Sequence, residues 1–103
     1  MISRHWQGIV KPGEDENYIN HLLSETFPKL SIIPGFVKAS ILRRTVDRGI
    51  EFLIITEWES MEAIRKFAGD ALETAVVPPA AQAMMVEYDK EVRHYKVAVT
   101  YAP

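Results

Sequence analysis

The spacing of apolar residues along the chain predicts four strands and three helical segments. Continuous or alternating apolar runs bounded by proline and glycine are typical of strands, whereas spacings of three and four residues are typical of helices. The predicted strands are Ile2–Val10, Phe36–Val46, Ile50–Trp58 and Glu91–Tyr101, and the predicted helices run from Glu14 to Leu30, from Ser60 to Ala68 and from Pro79 towards Tyr88.

Local signals refine these boundaries. Pro28 falls inside the first helical pattern, which predicts a kink or break at that residue. The loop Asp47-Arg48-Gly49 predicts a hairpin with glycine where a positive φ is needed. Ser60 is a predicted N-cap, and Gly69-Asp70 predicts the end of the helix that follows it.

The order of these elements is β-α-β-β-α-β, the ferredoxin-like arrangement of the α+β class. It predicts a four-stranded antiparallel sheet with the spatial order 4-1-3-2 and both helical regions on one face. A length of 103 residues predicts a single domain over residues 1–103.

The strand pattern also predicts a partner. Phe52–Ile55 are consecutive and apolar in a central strand, and Val97–Val99 and Ile41-Leu42 repeat this pattern. Both sheet faces therefore require cover, but the helices cover only one of them. A second copy of the chain, packed sheet against sheet, is the simplest cover and predicts a homodimer; loops or the C-terminal tail are the alternative.

Composition and charge exclude several classes of function. The chain has no cysteine, which excludes disulfide and thiolate chemistry. Its net charge of −2 argues against a nucleic-acid or anionic-membrane surface as its main partner. No apolar run is long enough to span a membrane, and the first residues do not look like a signal peptide, so a cytoplasmic location is expected.

Several short motifs together resemble one protein family. They are Ile33-Pro34-Gly35-Phe36, Glu57-Trp58-Glu59-Ser60-Met61-Glu62-Ala63, Phe67-Ala68-Gly69-Asp70, Ala75-Val76-Val77-Pro78 and His94-Tyr95. With them the chain, over about residues 2–99, resembles the antibiotic biosynthesis monooxygenase (ABM) domain family of the dimeric α/β-barrel superfamily. The resemblance implies a homodimeric barrel with a pocket between sheet and helices in each subunit. Some members oxygenate phenolic or polyketide-like aromatic compounds with O2 and without metal or flavin.

Other members of this family degrade haem, and the resemblance allows that branch to be tested by residue. Its members carry an Asn on the first strand, a Trp on the second helix and a His ligand about ten residues later. In this chain Gln7 or a neighbour, Phe67 and Val77 fall at those positions. Without the His no axial nitrogen holds the iron, so haem degradation is not expected. No cofactor is expected, with O2 as the co-substrate.

Oxygenation without a cofactor requires a base, a group that stabilises negative charge and an apolar pocket. The candidate bases are His5 and His94, on strands expected to be neighbours, and the candidate anion stabilisers are Arg43 and Arg44. The candidate ligand-binding residues are Trp6, Trp58, Tyr95 and, through the resemblance, Phe67.

Each candidate also has a structural interpretation. The histidines could be solvated or hydrogen-bonded, Arg43 and Arg44 could be solvated or paired with an acid such as Glu51, and the tryptophans could belong to the core. His21 is expected on the helix surface, and three scattered histidines do not predict a metal site.

The sequence therefore leaves two functions open. One is an ABM-type monooxygenase acting on a small aromatic, quinol or polyketide-like compound; the alternative is a non-catalytic homodimer that binds a ligand or has a structural role. RNA binding, which the same fold order supports, is excluded because the third strand is apolar and flanked by Glu51 and Glu57 instead of carrying basic and aromatic residues.

Overall fold

The computed structural model describes residues 1–103 and has five strands and four short helices. The first two helices are joined by a turn of π-helix over Leu22–Thr26. The strands are β1 (Ile2–Val10), β2 (Phe36–Val46), β3 (Gly49–Trp58), β4 (Met85–Tyr88) and β5 (Arg93–Lys96), and the helices are α1 (Asp15–His21), α2 (Phe27–Ser31), α3 (Met61–Ala68) and α4 (Pro79–Gln82). No helix is long and apolar enough to cross a membrane.

All five strands form one antiparallel sheet with the order β2-β3-β1-β4, and β5 also pairs with β1. The two short strands share one edge of β1: β4 pairs with Gly8–Val10 and β5 pairs with Ile2–His5. The predicted α+β fold and its strand order are therefore confirmed, with the place of the fourth strand divided between β4 and β5.

The C-terminal third differs from the prediction in two ways. The helix that begins at Pro79 ends at Gln82, and Met85–Tyr88 form strand β4 rather than its continuation. The backbone groups along this edge of β1 need hydrogen-bond partners, which β4 supplies and a helix could not. The last strand ends at Lys96 rather than Tyr101, because β1 begins pairing at Ile2 and offers no residue opposite Val99, which is 81% exposed.

The long first helical region is irregular where proline interrupts it. Pro28 has no N–H and its ring would meet the carbonyl group one turn earlier. The chain widens before it, and the Phe27 N–H donates to the Leu22 carbonyl, five residues back. This wide turn brings Phe27 and Leu30 onto the face already formed by Tyr18 and Leu22, so the whole region packs against the sheet.

The alternation of side chains separates two faces of the sheet. In β3, Phe52, Ile54 and Trp58 are buried beneath the helices, whereas Leu53 and Ile55 point to the other face and are half-buried. We call this second face, which no helix covers, the open face. The prediction that β3 is apolar on both faces is thereby confirmed, whereas Val97–Val99 lie outside the sheet.

Helix α3 begins and ends as the sequence predicts. The Ser60 hydroxyl accepts a hydrogen bond from the Ala63 N–H at 3.2 Å, and Gly69 ends the helix with a φ of 76°. The hairpin loop is shorter than predicted, with only Asp47 and Arg48, because Gly49 already pairs with Val46. Gly49 has a φ of 152°, and a Cβ atom there would overlap the carbonyl oxygen of Val10 on β1.

Gly49→Ala is therefore expected to lower the free energy of unfolding by about 3 kcal/mol or more, since backbone strain and steric overlap each cost roughly 1–3 kcal/mol. Gly13→Ala is the matched control, because Gly13 has a φ of 84° but open space around it. Urea unfolding at one fixed protein concentration measures both. Equal losses in the two variants would contradict the close contact between the hairpin and β1.

Candidate functional site

A cavity of about 80 Å³ lies between the helix-covered face of the sheet and the irregular helical region. Its walls come from β1, β3, the helical region Tyr18–Leu30 and the loop Val76–Pro78. It is mostly apolar and opens towards a wider surface depression that also includes Glu25 and Lys29. This combination of apolar walls and a few polar groups is typical of a small-molecule site.

Two of the four predicted ligand-binding residues line this cavity. Trp6 and Phe67 do so, and the indole N–H of Trp6 donates to the Asp89 carbonyl at 2.8 Å. Trp58 is fully buried below the cavity and stacks on Phe67, with ring centroids 6.1 Å apart. Tyr95 lies on the open face and is 48% exposed.

Trp58 nevertheless acts on the site through a neighbour. Its indole N–H donates to the Thr56 hydroxyl at 2.9 Å, and Thr56 lines the cavity. Because the hydroxyl oxygen accepts this bond, the Thr56 hydrogen is available to donate to another group. Trp58 is thus a core residue that orients a cavity hydroxyl.

The sheet side of the cavity carries a buried cation that the sequence analysis did not select. Arg4 is only 5% exposed and lies on β1 beside Trp6. Its Nη1 donates to the Leu72 carbonyl at 2.7 Å, and its Nη2 donates to the Thr74 carbonyl at 3.2 Å. The guanidinium carbon lies 5.7 Å from the centre of the Phe67 ring. Arg4 therefore holds the loop that closes the cavity and also faces the cavity.

His94 is the third partner of Arg4. Arg4 Nη1 donates to His94 Nε2 at 2.8 Å, so that nitrogen is an acceptor and carries no proton. Burial lowers the pKa of His94, and the Arg4 charge lowers it further, against a smaller opposite effect of Glu73. Burial, as the largest cause, lowers the pKa of Arg4 to about 10. The lone pair that would make His94 a base is thus already occupied.

His5 lies on the other side of the sheet. In the β1–β5 ladder His5 pairs with Arg93, and its neighbour Arg4 pairs with His94. Residues paired across a ladder share a face, whereas neighbours along a strand do not, so the two histidines lie on opposite faces of the sheet. His5 Nε2 is 2.8 Å from the Ser3 hydroxyl, and its ring is 4.9 Å from that of Tyr95. The two predicted bases therefore do not meet across the ladder.

The two predicted anion stabilisers also lie away from the cavity. Arg43 projects to the helix-covered side, where it pairs with Asp15 at 3.1 Å and with Glu16 at 2.9 Å at the start of α1. Arg44 lies on the open face and makes two hydrogen bonds to Glu51. These carboxylates raise the pKa of both arginines. The structural interpretation of Arg44 is the one that the structure supports.

His21 was expected at the surface, but it lines the cavity. Its Nε2 is buried without a hydrogen-bond partner, and its ring stacks on Tyr18 with 14° between the ring planes. Buried polar atoms almost always have a partner, so an unpaired nitrogen in a cavity wall is available to a ligand. Tyr18 lies three residues earlier on the same helical face. This apolar neighbour is the sequence signal that could have predicted an inward-facing His21.

The family can be assigned once this geometry is known. The sequence pattern of the family described as Antibiotic biosynthesis monooxygenase matches residues 1–77. The chain belongs to this family. The match covers β1 to β3, α3 and the loop that closes the cavity, and it confirms the resemblance seen in the short sequence motifs.

Solved structures of this fold cover nearly the whole chain. A Bacillus cereus protein described as an antibiotic biosynthesis monooxygenase has a TM-score of 0.70 and 21% identity, covering 100% of this chain and 96% of that one. SnoaB, a cofactor-independent oxygenase from Streptomyces nogalater, has a TM-score of 0.63 and 19% identity over 96% and 94%. The haem degrader MhuD of Mycobacterium tuberculosis has a TM-score of 0.65 and 17% identity over 99% and 100%. At these identities the likeness shows the fold alone.

One curated relative has a different description. A protein from Pseudomonas fluorescens described as guanylate kinase is 27% identical over 93 residues, which are 78% of this chain and 45% of that protein. The chain thus spans less than half the length of this relative. The phosphate-binding pattern Gly-x-x-x-x-Gly-Lys-Ser/Thr is not met, since Gly8 and Gly13 are followed by Glu14-Asp15.

A haem does not fit the residues present, although MhuD shares the fold. Val77, at the position that the resemblance gives to the iron ligand, lines the cavity but has no donor atom. His21 is the one imidazole in the cavity wall, and it lies at the end of α1 and not at that position. No group of three or more His, Cys, Asp or Glu side chains is arranged to hold a metal ion.

The histidine environments predict a pH-dependent stability. Burial lowers the pKa values of His5 and His94 below 6.5, so the native state binds fewer protons than the unfolded chain in that range. The free energy of unfolding should therefore be highest well above pH 6.5 and should fall as the pH decreases through about 6.5, the ordinary histidine pKa, towards the lower native pKa values.

His94→Gln should flatten this decrease, because glutamine keeps an acceptor for Arg4 but does not take up a proton. His5→Gln removes the other contribution, and the double variant should have the flattest profile. Urea unfolding across the pH series measures all three. A profile for His94→Gln that matches the wild type would contradict the buried contact with Arg4.

Proposed function

We propose that the protein is a cofactor-independent monooxygenase that acts in the cytoplasm on a small phenolic or quinol-type aromatic compound, with O2 as co-substrate. The observation that carries the proposal is one apolar, aromatic-walled cavity that holds both an unpaired imidazole nitrogen, His21 Nε2, and a buried cation, Arg4. Family membership supports oxygenation as the reaction class.

In the proposed reaction His21 Nε2 accepts the phenolic proton, and the electron-rich phenolate then reacts with O2. A C–O bond forms at a ring carbon that carries hydrogen, and the resulting peroxide takes the proton back from His21. Loss of the C–H proton with cleavage of the O–O bond leaves a C=O group and releases hydroxide, which becomes water. One phenol and one O2 thus give one quinone and one water.

The other cavity groups stabilise the charge that develops in these steps. Arg4 supplies a fixed positive charge, and the Thr56 hydroxyl, oriented by Trp58, supplies a hydrogen-bond donor. The rings of Trp6 and Phe67 exclude water from the phenolate and the peroxide. His5, Arg43 and Arg44 have no role in this scheme, and His94 acts only by positioning Arg4.

We also propose that the protein is a homodimer in which two open faces pack together. Leu53 and Ile55 lie at the centre of this face, and Leu42 beside them is 45% exposed. Their row is flanked by the ion pair of Lys38 with Glu57 and that of Arg44 with Glu51. An apolar centre with a charged margin is typical of a protein interface.

The alternative is a non-catalytic homodimer that binds an aromatic ligand in the same cavity. One observation favours it: no hydrogen bond orients the His21 ring, whereas a catalytic base is usually held by a second group. The small cavity fits this alternative equally well. The two functions differ in whether bound ligand consumes O2.

His21→Gln tests the proposed base. Oxygen uptake with a panel of single-ring phenols and hydroquinones should fall by about 10² to 10⁴-fold in kcat, the range typical of loss of a general base. His5→Gln, on the opposite face, is the matched control and should keep wild-type turnover. Equal rates in His21→Gln and wild type would remove His21 as the base, and ligand binding without oxygen uptake would favour the alternative function.

Leu53→Arg tests the dimer. At micromolar concentration, native mass spectrometry should show a dimer for the wild type and a monomer for the variant, because an unpaired charge at the centre of the interface costs several kcal/mol. Leu23→Arg is the control, since Leu23 is 58% exposed on the helical side. A wild-type monomer at that concentration would exclude the proposed packing.

A further inference from the structure

Arg4 is a buried cation whose partners are all neutral. Its contacts are the carbonyls of Leu72 and Thr74 and the unprotonated Nε2 of His94. The other arginines with close polar partners, such as Arg43 and Arg44, each pair with at least one carboxylate. None of the ion pairs of the structure includes Arg4.

This arrangement is energetically unfavourable for the chain alone. A buried charge without a counter-ion loses hydration that neutral hydrogen bonds restore only in part, and buried charges in proteins are normally paired. Glu73 affects Arg4 through space, but it lies in the exposed part of the loop and makes no ion pair with it. The neutral partners therefore hold the guanidinium in place without balancing its charge.

The guanidinium is also positioned to receive a ligand. Three of its five N–H donors are used by Leu72, Thr74 and His94, which leaves two. Arg4 borders the cavity together with Trp6, Phe67 and Thr56. A planar donor group beside aromatic rings suits a flat ligand that carries an oxyanion on an aromatic ring.

We propose that the cavity binds a single-ring aryl oxyanion, either a phenolate or an arenecarboxylate, with Arg4 as its counter-ion. The cavity volume of about 80 Å³ suits a ligand with a single ring. The proposal rests on the proposed function only in using the same cavity. Binding of the anion requires neither O2 nor turnover.

The other ionisable groups around the site are compatible with an anion. Glu73 and His94 lie behind Arg4, and Glu25 and Lys29 lie at the outer depression with opposite charges. His21 and Tyr18 face the cavity from the helical side. Burial raises the pKa of Tyr18, so its hydroxyl stays neutral. Arg4 is thus the one fixed charge in the cavity wall.

The probe for the test is 4-nitrophenol, whose phenolate and phenol forms differ in visible absorbance. It is titrated with protein under argon at a pH where the free compound is half ionised. Binding to the wild type should raise the ratio of phenolate to phenol at least tenfold, because a cation in contact lowers the pKa of an acid by about 1–3 units.

Arg4→Gln should reverse this shift, since the remaining apolar cavity favours the neutral phenol. Arg48→Gln is the matched control, because it removes the same charge from the exposed hairpin loop and should leave the ratio at its wild-type value. An unchanged ratio in Arg4→Gln, or no binding of the probe to the wild type at millimolar concentration, would overturn the proposal.

A second measurement uses only the wild-type protein and covers the case in which Arg4→Gln does not fold. Benzoate and benzyl alcohol, which have similar shapes, compete with 4-nitrophenol for the cavity. Benzoate should bind at least tenfold more tightly, and equal affinities would overturn the proposal. If benzoate is preferred and 4-nitrophenol binds as the neutral phenol, the site is assigned to carboxylates. A failure to detect oxygen uptake would contradict the proposed function but would not affect these binding results.

Discussion

The register of β1 within the sheet determines most of what this protein can do. Neighbouring residues of a strand point to opposite faces, so pairing Arg4 with His94 and with Thr56 directs Arg4 and Trp6 into the cavity. The same register directs His5 to the open face. A shift of one residue would direct His5 and Gln7 into the cavity in place of Arg4 and Trp6. It would also place Arg4 in the proposed dimer interface.

The fold follows from the sequence wherever an element is specified by its own residues. β1 was predicted with its observed bounds, and Ser60 and Gly69 define α3 through their own capping geometry. The structure of the C-terminal third is determined by pairing with one edge of β1, which the local sequence pattern does not predict. Residues Met85–Tyr88 read as helix from Pro79 onwards, but pairing with β1 satisfies more backbone groups there.

The cavity residues were harder to predict because their positions depend on irregular features. Proline at position 28 and the wide turn before it shift the helical face, so that His21 and Phe27 both border the cavity. The candidate histidines were chosen for their strands, whereas the available imidazole lies on a helix. Arg4 shares a strand face with Trp6, but arginine side chains are mostly exposed in proteins, so the sequence alone does not indicate that Arg4 is buried.

Arg4 combines two demands that usually conflict. It ties the loop that carries Leu72 and Thr74 to the sheet, and this structural task would be met at lower cost by a neutral donor. An uncompensated buried charge is the kind of local departure from good packing that proteins retain at functional sites. The neutral His94 and the two carbonyls hold the guanidinium rigid without neutralising it, so its field remains directed at whatever enters the cavity. A carboxylate in their place would stabilise the fold more and leave the cavity without its charge.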